Sequence, residues 1–226
     1  MKFTNSFLKI GVLVNMVMMT SNMIAQERKL PDPVFKGGMP MNEVVAKRHS
    51  VRDFDPDRKI DDAVLGQLLW MTLGVNRPDA APSQFGAPIN RCNPTARNWQ
   101  EIHAYVFGKD GIWEYIPSAH SLSKVKDGDH RALVAGTKEF AQEFVIDAPY
   151  SIVFVADLRG LPENEQVRNM AMIDAGIACE NLNLACVSLG IATVPRATMD
   201  AASISSLLGF DALRIPVMNN PIGYPR

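Results

Sequence analysis

The chain has 226 residues, of which 47% are hydrophobic and 21% charged, with a net charge of −1. That is the composition of one ordinary globular domain with room for excursions. The near-neutral balance argues against general nucleic-acid binding and against polyanionic partners.

Lys2 and Lys9 flank a short polar start, Ile10 to Met19 is apolar except for Gly11 and Asn15, and Thr20, Ser21 and Asn22 lead on towards Ala25. This is the pattern of a secretory signal peptide, too short for a comfortable membrane span, so residues 1–25 are expected to be a leader cut near Ala25. The alternative is an uncleaved N-terminal anchor. Either way the mature domain is expected to be periplasmic or otherwise exported. Residues 26–40 hold three prolines and two glycines and read as an extended arm, followed by the main domain at 41–226. Cys92, Cys179 and Cys186 make an odd number. The last two fall on one helical face two turns apart, too far for a disulfide. All three read as small buried hydrophobes without metal-site spacing.

Met41 to Lys47 begins a short helix. Arg48-His49-Ser50-Val51-Arg52-Asp53-Phe54 follows, then a turn at Asp55-Pro56-Asp57. Asp61 is placed to cap a second helix, with Val64, Leu65, Leu68, Leu69 and Thr72 as its buried stripe and Gly74 as its stop. Residues 75–98, with Pro78, Pro82, Pro88 and Pro94, read as a long loop of the kind that carries function. Ile102, Ala104 and Val106 alternate with His103, Tyr105 and Phe107 in strand fashion, and Ile112 to Ile116 returns after the turn at 108–111. Residues 118–130 read as polar and exposed, and Arg131 to Phe144 as a helix broken at Gly136.

Tyr150 to Ala156 is a continuous apolar run, expected as a central strand. Glu163 to Leu189 is the longest helical pattern. Ala171, Ala175, Ala178, Leu182, Ala185 and Leu189 form one stripe, and Met170, Ile173, Ile177 and Leu184 a second. Asp174, Asn181 and Ser188 mark a thin polar face. A helix apolar over most of its girth is expected to be a buried core helix and a subunit interface. A short strand at 191–195, a helix at 200–208 and a last strand at Ile215 to Met218 complete the chain. Helices and strands mix without a βαβ rhythm, so the expected class is α+β, a mainly antiparallel sheet flanked by helices.

The chain has no Gly-x-Gly-x-x-Gly after a strand, no Walker loop, no zinc motif and no Gly-x-Ser-x-Gly elbow. His103, His120 and His130 read as surface or satisfied histidines. The Arg48–Phe54 stretch is different. In an extended backbone Arg48, Ser50 and Arg52 point to one side, whereas in a helix the two arginines share a face and Ser50 leaves it. Guanidinium forks match phosphate oxygens two at a time, and a serine hydroxyl adds a donor. The same spacing also describes an exposed basic turn that pairs with Asp53, Asp55 and Asp57.

Arg48-His49-Ser50-x-Arg52-x-Phe54 resembles the flavin-phosphate signature of the FMN-dependent nitroreductase family. Three further pieces follow in order. Pro94-Thr95-Ala96-x-Asn98-x-Gln100 is similar to the family segment that lies along the isoalloxazine ring, usually from the partner subunit. Pro195, Arg196 and Ala197 stand in a stretch, 190–197, where the family sets backbone amides against the ring. Pro221-Ile222-Gly223-Tyr224-Pro225 resembles the family's closing motif, with Arg226 in place of a basic residue that reaches the phosphate. Asn76-Arg77-Pro78 resembles the branch that includes azoline-oxidising dehydrogenases. Phe144 falls near where some relatives place a lysine.

The resemblance implies an obligate homodimer of nitroreductase-like fold that binds FMN. It also implies ping-pong electron or hydride transfer from a small-molecule donor to a small acceptor such as a nitroaromatic, quinone or enone, with no side-chain nucleophile. An exported enzyme is cut off from cytoplasmic nicotinamide, so a membrane-linked or protein reductant is expected. The alternatives are a flavin-binding carrier without turnover and an exported anion-binding module.

Overall fold

The computed structural model describes residues 26–79 and 89–226. The expected leader at 1–25 and the Pro82–Pro88 part of the long loop lie outside the described residues. The strands are β1 (Glu27–Lys29), β2 (Val75–Arg77), β3 (Asn90–Arg91), β4 (Ile102–Gly108), β5 (Gly111–Ile116), β6 (Ser121–Asp127), β7 (Tyr150–Asp157), β8 (Ala192–Thr193) and β9 (Arg214–Gly223). The α-helices are α1 (Met41–Lys47), α2 (Asp62–Leu73), α3 (Arg131–Ala135), α4 (Phe144–Asp147), α5 (Glu165–Ser188) and α6 (Ala201–Leu208).

Seven of the described strands form one sheet in the order β1-β6-β5-β4-β7-β9-β8, and every neighbouring pair is antiparallel. Successive side chains on a strand point to opposite faces, and the sequence uses both. Ile102, Ala104 and Val106 of β4, with Ile152, Phe154 and Ala156 of β7, pack under α2 and α5. Tyr105 and Phe107, with Val153 and Val155, face the other way into a second core closed by Val134, Ala135, Val145 and Ile204 from the smaller helices. The continuous apolar run of β7 follows from this, because helices cover it on both sides. The fold is thus the expected α+β class with a mainly antiparallel sheet flanked by helices.

The helix ends follow local chemistry. Asp61 Oδ1 accepts the Val64 N–H at 2.8 Å, capping α2, and Asn164 Oδ1 accepts the Val167 N–H at 3.0 Å, capping α5. Asp61→Ala is expected to lower stability by about 1 kcal/mol, read as a shifted urea midpoint at unchanged slope. Along α5, Ala171, Ala175, Ala178, Leu182 and Ala185 are all fully buried, as the stripe predicts. Cys179 and Cys186 are buried too, and burial pushes the Cys179 thiol up to about 12.

Several expectations are corrected. The stretch 118–130 is not simply a polar surface segment. It contains β6, which pairs with β5 on one side and with the arm strand β1 on the other. Only Ser121 and Leu122 are buried within it, so backbone pairing rather than an apolar face holds this strand, and the hydropathy pattern is silent. The last strand runs ten residues, not four, and takes in Asn219, Asn220 and Pro221. The two asparagines look like a turn by composition, yet both are fully buried. Asn220 donates to Asn183 Oδ1 at 2.8 Å and to Thr193 Oγ1 at 3.1 Å, and Asn219 donates to Thr198 O at 3.0 Å. The long loop contains a small hairpin of β2 with β3 and a 3₁₀ turn at Ala96–Asn98. Asp174, read as part of a polar face, is 5% exposed, whereas Ile173, read as part of an apolar stripe, is 56% exposed.

Candidate functional site

α1 ends at Lys47, and Arg48 already has extended backbone angles, φ −60° and ψ 119°. The chain then runs between β8 and the C-terminus. Val51 N–H donates to Thr193 O at 2.9 Å, Phe54 bridges Pro225, and Asp55 N–H donates to Tyr224 O at 2.9 Å. Val51 packs inward against Phe54, Ala148 and Ala192. Of the two readings left open by spacing, the extended one is observed. Arg48, His49, Ser50 and Arg52 are all exposed. Gly223 belongs to this junction, because a Cβ there would lie 2.9 Å from Pro149 Cδ and 3.1 Å from Phe54 Cδ1.

The nearby carboxylates do not neutralise the two arginines. Asp53 faces Arg226 at 3.5 Å, and Asp55 accepts the Asp57 N–H at 3.0 Å. Among the described residues neither the Arg48 nor the Arg52 side chain makes an ion pair or hydrogen bond. His49 Nδ1 lies 2.7 Å from Lys47 O. Arg52 also stands near a third guanidinium, that of Arg196, and adds to the burial that lowers Arg196 to about 10. Like charges held together with no anion between them form a receptor for one.

Arg196 itself faces inward. Its Nε donates to Gln142 Oε1 at 2.7 Å, Nη1 to Val134 O at 2.9 Å and Asn219 Oδ1 at 2.7 Å, and Nη2 to Ala135 O at 3.0 Å. Its backbone is also used, paired both ways with Asn219. The Arg196 amide expected to face a flavin ring is therefore engaged in the fold. Pro195 is half-buried and Ala197 exposed beside it. Arg226 is exposed at the same junction, and its N–H donates to Asp53 O at 3.3 Å. Phe144 stacks on Phe54 with centroids 6.3 Å apart, under the Arg196 guanidinium.

The second sequence piece forms a tight loop. Thr95 Oγ1 accepts the Gln100 N–H at 3.0 Å, and Ala96 N–H donates to Asp174 Oδ2 of α5 at 2.7 Å. Arg97, Asn98 and Gln100 have positive φ, 51°, 57° and 56°. Asparagine enters that region readily, but arginine and glutamine do so only when surroundings over-determine it. Gln100 Nε2 donates to Asn98 Oδ1 at 2.9 Å and also to Ile89 O. The Asn98 and Gln100 side-chain amides thus brace each other in this chain. Pro94 is exposed, while Thr95 and Ala96 are half-buried.

Sequence reasoning missed what lies behind this loop. Glu101 is 3% exposed, and among the described residues neither carboxyl oxygen receives a hydrogen bond. It contacts the Asp174 carboxyl, and burial together with that contact pushes it up to about 8 against an ordinary 4.5. Arg91, lowered by burial to about 10, attracts it, but Arg91 Nη1 donates to Ile102 O at 2.9 Å and its Nε has no acceptor. A carboxyl whose folded value is raised binds its proton more tightly folded than unfolded. Stability should therefore fall as pH rises from about 4.5 to about 8, with a slope no steeper than one proton, and Glu101→Gln should flatten that decline in denaturation curves. The only sequence signal was the carboxylate before Ile102, and nothing in one sequence matches it to Asp174.

Three of the sequence pieces thus meet in this chain, at 48–54, 191–197 and 219–226, around an exposed cation pair. Residues 45–224 match the Nitroreductase family. That match and the fold place the protein among flavin-type oxidoreductases in general. The chain belongs to the nitroreductase family. It resembles a crystal structure described as a nitroreductase from Ralstonia eutropha JMP134, at 27% identity and TM-score 0.75, covering 88% of this chain and 90% of that one. A structure described as a nitroreductase from Anabaena variabilis aligns at 18% identity and TM-score 0.69, covering 89% of this chain but 42% of that one. A chain of the Escherichia coli microcin synthetase McbBCD complex, solved with truncated pro-MccB17 bound, aligns at 14% identity and TM-score 0.63, covering 98% of this chain and 85% of that one. The last two show a shared fold. No curated protein matches the chain significantly.

Proposed function

We propose that this protein is an FMN-dependent oxidoreductase that works as a homodimer, with the cofactor phosphate held by Arg48, Ser50 and Arg52. The observation that carries this is the exposed pair of guanidiniums, Arg48 and Arg52, unpaired among the described residues, on one edge of an extended segment that Val51 and Phe54 pin to β8 and the C-terminus. Bound FMN would supply two-electron redox chemistry between a small-molecule donor and a small acceptor such as a nitroaromatic, quinone or enone. The chain's own residues bind and orient. The two guanidiniums neutralise the phosphate dianion, Ser50 Oγ adds a donor, and Arg52 lies on the side of the cluster nearest Arg196. No side-chain nucleophile is needed.

The loop at 94–100 supports the dimer. Asp174 anchors it in the first half of α5, while the 191–197 segment follows the end of that helix. The helix rise puts roughly 22 Å between Asp174 and Leu189. A loop at that distance is better placed to serve the cofactor of a second copy than that of its own chain. Met172 and Ile173 on α5, and Met41 and Val45 on α1, are exposed apolar side chains on touching helices, of the kind a subunit interface covers.

We further read the protein as exported, from the leader pattern in residues 1–25. Its donor is then a membrane-linked carrier or another protein rather than a nicotinamide. Recovery of the chain from a cytoplasmic fraction with its N-terminus intact would remove that part.

The deciding test is a visible absorption spectrum of the purified protein, with the released chromophore identified. FMN near one per subunit, and rapid reoxidation by quinones or nitroaromatics after reduction, is the expected result. Bound FMN with no reoxidation by any acceptor would indicate a carrier. A colourless protein that takes up no added FMN would leave an anion-binding module.

A further inference from the structure

Behind the 94–100 loop two carboxyl groups are buried against each other. Asp174 is 5% exposed and Glu101 is 3% exposed. Asp174 accepts the Ala96 N–H at 2.7 Å, which ties the loop to α5. Glu101 O accepts the Asp157 N–H at 2.8 Å, which fixes the other end of the loop to β7. The Glu101 carboxyl lies within hydrogen-bonding reach of the Asp174 carboxyl, yet among the described residues neither of its oxygens finds a donor. Two carboxylates have four acceptor oxygens and no proton between them, so a buried contact of this kind holds together only when one group is protonated.

The other charged groups in reach do not take the place of that proton. Arg91 of β3 attracts Glu101 without hydrogen-bonding it. Glu101 also lines a cavity of about 320 Å³ with His103, Asp157 and Arg159. These are already matched, His103 Nδ1 with Glu114 Oε1 at 2.9 Å and Arg159 with Asp157. The loop that the pair anchors is a strained one, with positive φ at Arg97, Asn98 and Gln100. Such a backbone depends on its anchors.

We propose that Glu101 and Asp174 are positioning residues, a proton-sharing latch that holds the 94–100 loop in its binding conformation. The inference rests on the reading that this loop lies against the flavin. While Glu101 carries the proton it donates to Asp174, and Asp174 remains free to accept from Ala96. When that proton leaves, two buried anions face each other and the weakest link is the strained loop, which moves away from α5. Burial raises Glu101 to about 8, so the change falls in the mildly alkaline range. Cofactor binding then weakens without any change at Arg48, Ser50 or Arg52.

The test compares the full-length protein with Glu101→Gln and Asp174→Asn, each of which places a permanent N–H between the two groups. FMN affinity and the flavin's visible spectrum are measured from pH 6 to 9.5. The wild type is expected to lose about tenfold or more in affinity across pH 8, with a matching spectral shift. Both variants are expected to bind FMN with little pH dependence, and one that folds suffices. Identical titration of wild type and variants would overturn the latch. If the protein takes up no FMN at all, the cofactor reading fails instead. The latch is then read from hydrogen exchange at the Ala96 amide. Protection lost above pH 8 in the wild type but kept in a variant supports it, and equal protection overturns it.

Discussion

The Arg48→Ala, Arg52→Ala double variant should purify without flavin and with its fold intact. Both guanidiniums are exposed and, among the described residues, unpaired, so their removal orphans none of those residues. Each charge-assisted contact to a phosphate is worth about 1.5–3 kcal/mol, so losing both should weaken FMN binding by ~10²–10⁴-fold. The checks are a flavin titration and a thermal melt of the apoprotein. An unchanged melt with lost affinity is the expected combination. Easing of the like-charge contact between Arg52 and Arg196 should, if anything, raise the melting temperature slightly. A double variant that still purifies yellow would show that the phosphate is held elsewhere.

Arg196→Ala should do the opposite, damaging the fold first. It removes the donor for Gln142 Oε1, Val134 O, Ala135 O and Asn219 Oδ1, and Arg196 itself is only 6% exposed. Leaving these neutral acceptors without their shared donor, at about 1–3 kcal/mol for each group that water cannot reach, costs about 3–5 kcal/mol in all. For a domain of this size that is a fall of roughly 10 °C in melting temperature. Arg196→Lys should recover little of it, since one ammonium cannot serve acceptors spread around a planar fork. Calorimetry of the two variants decides the matter. A normal melting temperature in Arg196→Ala with lost flavin would instead make Arg196 a cofactor ligand.

The contrast between these arginines explains how far the sequence could be read. Arg48 and Arg52 stand at alternate positions next to a serine, a local pattern whose chemistry is visible in the residues. Arg196 carries no such mark, because its partners come from α3, the segment before α4, and β9. The same division runs through the fold. β7 and α5 announce themselves because burial writes a periodic apolar pattern into the chain. β6 does not, since its outer half is mostly exposed and held by backbone pairing and by Lys124 lying over Trp113 rather than by an apolar face. Asn219 and Asn220 look like punctuation for a turn, and only hydrogen-bonding groups contributed by α5 and by the 193–198 segment make them tolerable inside a strand. Glu101 and Asp174 are the extreme case, two ordinary carboxylates whose meaning arises only when the chain brings them together.

One feature at the rim of the sheet bears on how the protein survives at high concentration. β1 is three residues long, carries Glu27, Arg28 and Lys29, and pairs along the inner half of β6. Arg28 is held to Asp62 at the start of α2. The strap therefore hides hydrogen-bonding groups that would otherwise form an open ladder on β6, and presents a short, charged border in their place. Open ladders recruit other chains, and short charged ones do not. The far rim, β8, is two residues long and has the 48–54 segment fastened to it through Val51. Resistance to clumping in this protein thus depends on two thin borders as well as on its core, and a protease that trimmed the arm would take Leu30 out of the core and leave the sheet adhesive.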